Sequence, residues 1–122
     1  MPTSLVLDDE PSIRKLIRSI LAIEHIQTIE AENGARGLEI MRESGSTVDL
    51  IISDIRMPDV DGISFARSVR QTHPRVPIIL VSGYLEGEKA PDCDGFVEKP
   101  FRVGTLLDVV RGVLAGPGAR AA

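Results

Sequence analysis

The sequence predicts an α/β fold, a doubly wound five-stranded parallel sheet with helices on both faces, and two observations carry that expectation. Short continuous apolar runs alternate along the chain with longer segments of helical periodicity. A strand buried on both faces reads as such a run, whereas a strand with one wet face alternates apolar and polar. The runs also stop on residues able to do chemistry: Asp8 and Asp9 after Leu5-Val6-Leu7, Asp54 after Leu50-Ile51-Ile52-Ser53, Ser82 after Pro77-Ile78-Ile79-Leu80-Val81, and Lys99 after Gly95-Phe96-Val97-Glu98. In open α/β sheets the binding crevice lies outside the carboxyl ends of the strands, so residues far apart in sequence converge there.

The first strand ends at Asp8. Pro11 suits the first turn of the helix that follows, and Ile13, Leu16, Ile17, Ile20 and Leu21 then keep the spacing of one apolar helix face. A short strand over Gln27 to Ala31 comes next. The helix from about Gly34 to Arg42 should turn Ala35, Leu38 and Met41 inward, although Gly34 and Gly37 weaken its intrinsic preference. After the Leu50 strand and a loop holding Pro58 and Gly62, a third helix runs from about Ile63 to Gln71. His73-Pro74 and Pro77 bracket the loop into the fourth strand. A last helix, about Val103 to Ala115, places Val103, Leu106, Leu107, Val110 and Leu114 on one face. Residues 1–116 are expected to form one domain and 117–122 a flexible C-terminal tail. Parallel neighbours need crossovers, and an acid pair on the first strand that shares a site with the acid of the third makes those two strands neighbours. That fits the flavodoxin-like order 2-1-3-4-5.

Composition bounds the function. The 122 residues suit a single domain, 43% of them hydrophobic and 26% charged, with a formal net charge of -4 and no basic footprint for nucleic acid. No apolar stretch reaches membrane-span length and the first residues lack a signal-peptide pattern, so a cytoplasmic location is expected. Cys93, the single cysteine, reads as a plain thiol, and His25 and His73 as solvated.

The shared pocket has a charge problem that suggests its chemistry. Two carboxylates about 4 Å apart repel by roughly 4 kcal/mol at an effective dielectric near 20. Three acids against one lysine leave a formal charge of about -2, which matches a hard divalent cation with oxygen ligands, and Mg²⁺ takes one or two carboxylates, waters and phosphate oxygens. An aspartate in such a site can be the nucleophile that forms an aspartyl phosphate, with Ser82 donating to a phosphoryl oxygen. An Asp pair at a strand-to-helix junction also suits a helix N-cap. The company of Asp54 and Lys99 favours the shared site.

The segments Leu5-Val6-Leu7-Asp8-Asp9-Glu10, Ser53-Asp54-Ile55-Arg56-Met57-Pro58-Asp59-Val60-Asp61-Gly62, Val81-Ser82-Gly83 and Lys99-Pro100-Phe101 together make the chain resemble a response-regulator receiver domain of the CheY-like family over essentially its whole length. The resemblance implies that Asp54 is the phosphoacceptor. It implies that Asp9 and Asp54 bind Mg²⁺ directly, Asp8 largely through water, and that the backbone carbonyl of Arg56 is a further ligand. It makes Ser82 the switch hydroxyl, Phe96 the switch aromatic and Lys99 the phosphoryl-contacting cation, with a cis peptide at Lys99-Pro100. The donor it implies is a histidine kinase or histidine phosphotransfer protein, and the output an unknown downstream protein target with no direct nucleic-acid or membrane contact. Catalysis would be confined to the chain's own phosphorylation and dephosphorylation. A Mg²⁺-dependent phosphatase or phosphotransferase, and a pseudo-receiver binding module, are the alternatives.

One departure stands out. Only residues 83–94 remain between Ser82 and the fifth strand, no more than the roughly one dozen that a crossover needs at minimum, and they include Gly83, Gly87 and Pro91. The fourth helix is therefore expected to be short or missing, with Val109 and Val113 of the last helix either covering the space or forming an exposed patch.

Overall fold

The computed structural model describes residues 2–83 and 93–115. Five strands, β1 (Thr3–Leu7), β2 (Gln27–Ala31), β3 (Leu50–Asp54), β4 (Ile78–Ser82) and β5 (Gly95–Glu98), form one sheet in the order β2-β1-β3-β4-β5, every pair parallel. Four α-helices lie among the described residues: α1 (Pro11–Ile23), α2 (Gly34–Ser44), α3 (Gly62–Thr72) and α4 (Val103–Ala115). A 3-10 turn at Gly45–Thr47 follows α2. The expected short or missing helix between β4 and β5 falls on residues 84–92 and the expected tail on 117–122, both outside the described residues.

The continuous apolar runs serve two cores at once. Successive strand side chains point to opposite faces, and here Leu5, Leu7, Ile51, Ile78 and Leu80 pack with Ile40 and Met41 of α2 and Phe65, Ala66 and Val69 of α3. Val6, Leu50, Ile52, Ile79, Val81 and Val97 pack on the other face with Ile17, Ile20 and Leu21 of α1 and Leu106, Leu107, Val110 and Val113 of α4. Each fully buried side chain of this kind contributes about 1.5–3 kcal/mol. The two cores hold β1, β3 and β4 between helix layers; β1 and β3 end at the acids and β4 ends at Ser82.

The helix faces differ in detail from the periodicity. In α2 the inward residues are Gly34, Gly37, Ile40 and Met41, while Leu38 is half-buried and Ala35 is exposed. A Cβ on Gly37 would stand 2.3 Å from Leu7 Cδ2 and 2.9 Å from Phe65 Cε1, so the glycine that weakens the helix is also the surface by which α2 reaches the core. In α4 the buried set is Leu106, Leu107, Val110 and Val113, with Val103 and Leu114 partly exposed at 44% and 39%. Val109 and Val113 lie over β5: a Cβ on Gly95 would meet Val109 Cγ1 at 2.7 Å and Val113 Cγ2 at 3.2 Å. They cover the edge strand rather than form an exposed patch. Leu16 of α1 is also exposed, because the stripe of α1 is wider than the sheet surface beneath it.

Helix α1 starts on Pro11 at its first turn, and His25, two residues past its last residue Ile23, stands at φ 59°. The amide N–H groups of Ile26 and His25 donate to the carbonyls of Leu21 and Ala22, the paired bonds that close a helix C-terminus through a left-handed residue. His25 is exposed as expected, but His73 is not simply solvated. Its ring packs against Gly45, and its Nδ1 lies 2.8 Å from the Thr72 hydroxyl. No helix among the described residues is long and apolar enough to cross a membrane.

Candidate functional site

Strand register explains why distant residues meet. Leu7 pairs with Ser53, so the next residues, Asp8 and Asp54, leave neighbouring strands side by side. Asp54 pairs with Val81, one short of Ser82, and Ser82 pairs with Glu98, one short of Lys99. The Lys99 amide donates to the Ser82 carbonyl at 2.8 Å, extending the ladder past β5. Acid, acid, hydroxyl and ammonium thus lie in a row along the carboxyl edge of the sheet, and Asp9 joins them from the loop after β1.

Asp8 and Asp54 are buried, at 1% and 7% exposure, while Asp9 is exposed. One oxygen from each of the three carboxylates lies within 4.8 Å of the others. Lys99 Nζ donates to Asp8 Oδ2 at 3.0 Å and to Asp54 Oδ2 at 3.3 Å. The other oxygen of Asp8 accepts from the Glu10 amide at 2.9 Å, which orients the carboxylate, and Asp54 Oδ1 takes a long 3.4 Å bond from the Arg56 amide. Ser82 is fully buried at the end of β4. Phe96 of β5 pairs with Leu80 of β4 and packs half-buried against the core under α2 and α3, outside the carboxylate cluster. The Lys99–Pro100 peptide is cis.

Behind Asp54 the backbone folds tightly on itself. The Gly62 amide donates to the Ile55 carbonyl at 2.8 Å, and a Cβ on Gly62 would stand 2.2 Å from the Asp54 carbonyl oxygen. Only glycine permits that approach, so the loop after β3 is pinned against the site. A cleft of about 740 Å³ opens beside Asp9 along this loop, lined among others by Arg56, Met57, Asp61 and Arg67.

Electrostatics mark the site as undercompensated. Burial first, and the neighbouring Asp8 charge second, push the Asp54 carboxyl above its usual value, while Lys99 pulls the other way without cancelling them. Burial is also the largest influence on Lys99 and works to lower it, yet the bonds and charges of Asp8 and Asp54 outweigh it and hold the ammonium above the ordinary lysine value. Lysine remains charged, and the acids are still crowded. Three oxygen donors of this kind, with more negative charge than Lys99 can balance, fit a hard divalent cation.

A model of the response regulator receiver domain matches residues 5–111. The chain belongs to that family. It is a receiver domain of two-component systems, a family phosphorylated on aspartate with Mg²⁺, and the acidic pocket fits that activity. The receiver is 37% identical over 117 residues to the sensor kinase CckA of Brucella abortus (strain 2308), covering 92% of this chain and 12% of that protein. It is 33% identical over 115 residues to the regulatory protein AtoC of Escherichia coli (strain K12), covering 90% of this chain and 24% of that protein. The chain therefore spans a quarter or less of the length of these two curated relatives. Among solved structures it superposes on the response regulator TrrA of Thermotoga maritima, a complex with Mg²⁺-BeF, with a TM-score of 0.85 and 32% identity over 93% of this chain and all of that one.

Two polar features of the receiver carry no local sequence signal. Arg14 NH1 donates to the Asp8 carbonyl at 2.7 Å while its Nε meets Glu30 Oε1 at 3.0 Å, and Arg70 NH2 holds Asp94 Oδ2 at 2.5 Å, tying α3 to the start of β5. Their partners lie 16 and 24 residues apart in sequence, and only the fold joins them.

Proposed function

We propose that Asp54 is the phosphoacceptor of this receiver, taking its phosphoryl group from a phosphohistidine on a histidine kinase or histidine phosphotransfer protein. The observation that carries the reading is a nine-tenths buried carboxylate at a strand end, crowded by Asp8 and bridged by Lys99. Asp8, Asp9 and Asp54 would hold Mg²⁺, with the backbone carbonyl of Arg56 as a further ligand. Bound there, the ion would neutralise charge on the transferring phosphoryl group.

Asp54 attacks as the carboxylate. A P–O bond forms at its side chain while the P–N bond to the donor imidazole breaks, and the departing nitrogen keeps the electron pair and takes up a proton. Lys99 already spans Asp8 and Asp54 and needs only a small swing to meet a phosphoryl oxygen, and Ser82 donates its hydroxyl to another. Moving a two-state equilibrium from 1:99 to 99:1 takes about 5.5 kcal/mol of differential stabilisation, which a few charge-assisted hydrogen bonds in a buried site supply. Phe96, three residues before Lys99 and half-buried on the edge strand, follows that shift by rotating inward. The state passes to a downstream protein by contact, in the cytoplasm, and the donor docks over the pocket and α1, where Ile23 is 56% exposed.

Acetyl phosphate with Mg²⁺, followed by intact-mass measurement beside an Asp54→Asn control, tests the reading. A gain of one phosphoryl group in the wild type alone supports it. No adduct under any condition overturns it, and repeated turnover of unrelated phosphate esters would point instead to a phosphatase.

A further inference from the structure

Asp9 is the exposed member of the acid cluster, on a loop, yet a metal site needs its ligands held in fixed relative positions. The means of holding it lies outside the cluster. Arg14, on the second turn of α1 and only 16% exposed, donates NH1 to the backbone carbonyl of Asp8 at 2.7 Å and Nε to Glu30 Oε1 at 3.0 Å. Glu30 lies on the edge strand β2 beside Val6, and its second oxygen takes Arg18 NH1 at 3.2 Å. The Asp8 amide donates to the Ala31 carbonyl at 3.2 Å.

The carbonyl of Asp8 and the amide of Asp9 belong to one planar peptide unit. Fixing that carbonyl fixes the direction in which the chain enters Asp9, and hence the angle between the two side chains. Asp8 is anchored besides by burial and by its bonds to Lys99 and Glu10, whereas Asp9 has no comparable burial. The pairing with Glu30 has a second consequence. A lone guanidinium this close to the acids would repel a cation, and the carboxylate of Glu30 offsets that charge.

We propose that Arg14 and Glu30 are positioning residues that set the Asp8–Asp9 peptide for Mg²⁺ binding. This rests on the reading of Asp8, Asp9 and Asp54 as the metal site. Arg14 acts through the peptide and touches neither metal nor phosphoryl group. Outer contacts that orient metal ligands are typically worth about 10–100-fold in affinity.

The test is calorimetric titration of Mg²⁺ alone into the full chain, with thermal unfolding of each variant in parallel. Arg14→Met keeps the apolar stem and should raise the Mg²⁺ Kd about tenfold. Acetyl phosphate labelling at saturating Mg²⁺ should stay near wild type, so the defect appears in the metal dependence and not in the maximum. Glu30→Gln, a milder change on an edge strand, should weaken binding in the same direction and serves if Arg14→Met does not fold. The charge-swapped pair, Arg14→Glu with Glu30→Arg, restores an ion pair between α1 and β2 but puts no donor on the Asp8 carbonyl. It should recover thermal stability and leave Mg²⁺ binding weak. Wild-type affinity in Arg14→Met, or affinity restored by the swap, overturns the positioning role. A wild-type chain that binds no Mg²⁺, or an Asp9→Asn variant that binds as well as wild type, overturns the metal-site reading itself.

Discussion

Asp54 and Glu24 are both carboxylates with a cation beside them, and the two ends of the molecule treat them in opposite ways. At the α1–α4 seam, Glu24 receives two bonds from Arg111, at 2.9 and 3.2 Å, and the hydrogen bond from Arg111 holds its pKa below the ordinary 4.5. At the carboxyl edge of the sheet, burial and the Asp8 charge push Asp54 above the ordinary 3.8 in spite of Lys99. The seam is a balanced, exposed pair that serves the fold. The edge is a buried, unbalanced cluster, and leaving charge unbalanced inside a protein costs stability unless a ligand restores it. That imbalance, rather than the presence of acids, separates the site from the rest of the polar surface.

The backbone repeats the contrast, and the strongest loss of stability comes from it. Gly62→Ala drives a methyl group into the Asp54 carbonyl and should lower stability by about 3 kcal/mol or more, with loss of phosphorylation, measured by urea unfolding and mass. Asp54→Asn keeps an acceptor for Lys99 and removes the crowded charge, so the metal-free protein should gain about 0.5–2 kcal/mol. Mg²⁺ at about ten times its Kd should add about 1.4 kcal/mol to the wild type and much less to this variant. Gly112 of α4, where a Cβ would meet nothing within 4 Å, is the opposite of Gly62: Gly112→Ala should stabilise by about 0.5–1 kcal/mol in thermal melts.

The smallest effect is the sharpest in sign. A raised folded pKa means that Asp54 favours the fold at low pH and loses that contribution as pH rises from about 3.8. A lowered one means that Glu24 favours the fold above about 4.5 and loses its contribution as pH falls. Melting curves through this window should therefore show Arg111→Ala flattening the acid-side loss, and metal-free Asp54→Asn flattening the loss on the alkaline side.

The strand ends were legible in the sequence because burial on both faces makes a continuous apolar run, and such a run shows where it stops. Asp8, Asp9, Asp54 and Lys99 could be brought together from that alone, given the strand order, since register does the rest. Helix faces were less legible. Ala35 stands exposed and Ile40 buried because Gly34 and Gly37 let α2 approach on a face that hydropathy does not mark. Val103 and Leu114 stand exposed because the apolar stripe of α4 exceeds the surface that β5 and α1 offer it. The Arg14–Glu30 link was not legible at all: it joins a helix to an edge strand through charged residues that, read singly, suit any solvated face.

Borohydride trapping is the most direct test of the claim that the unbalanced edge exists to phosphorylate Asp54. An acyl phosphate is reduced to an alcohol, so the modified aspartate becomes homoserine and can be located by peptide mass mapping. After incubation with acetyl phosphate and Mg²⁺, homoserine is expected at position 54 and nowhere else. Label at position 8 or 9, or a phosphoryl group that resists borohydride on Ser82, would contradict it.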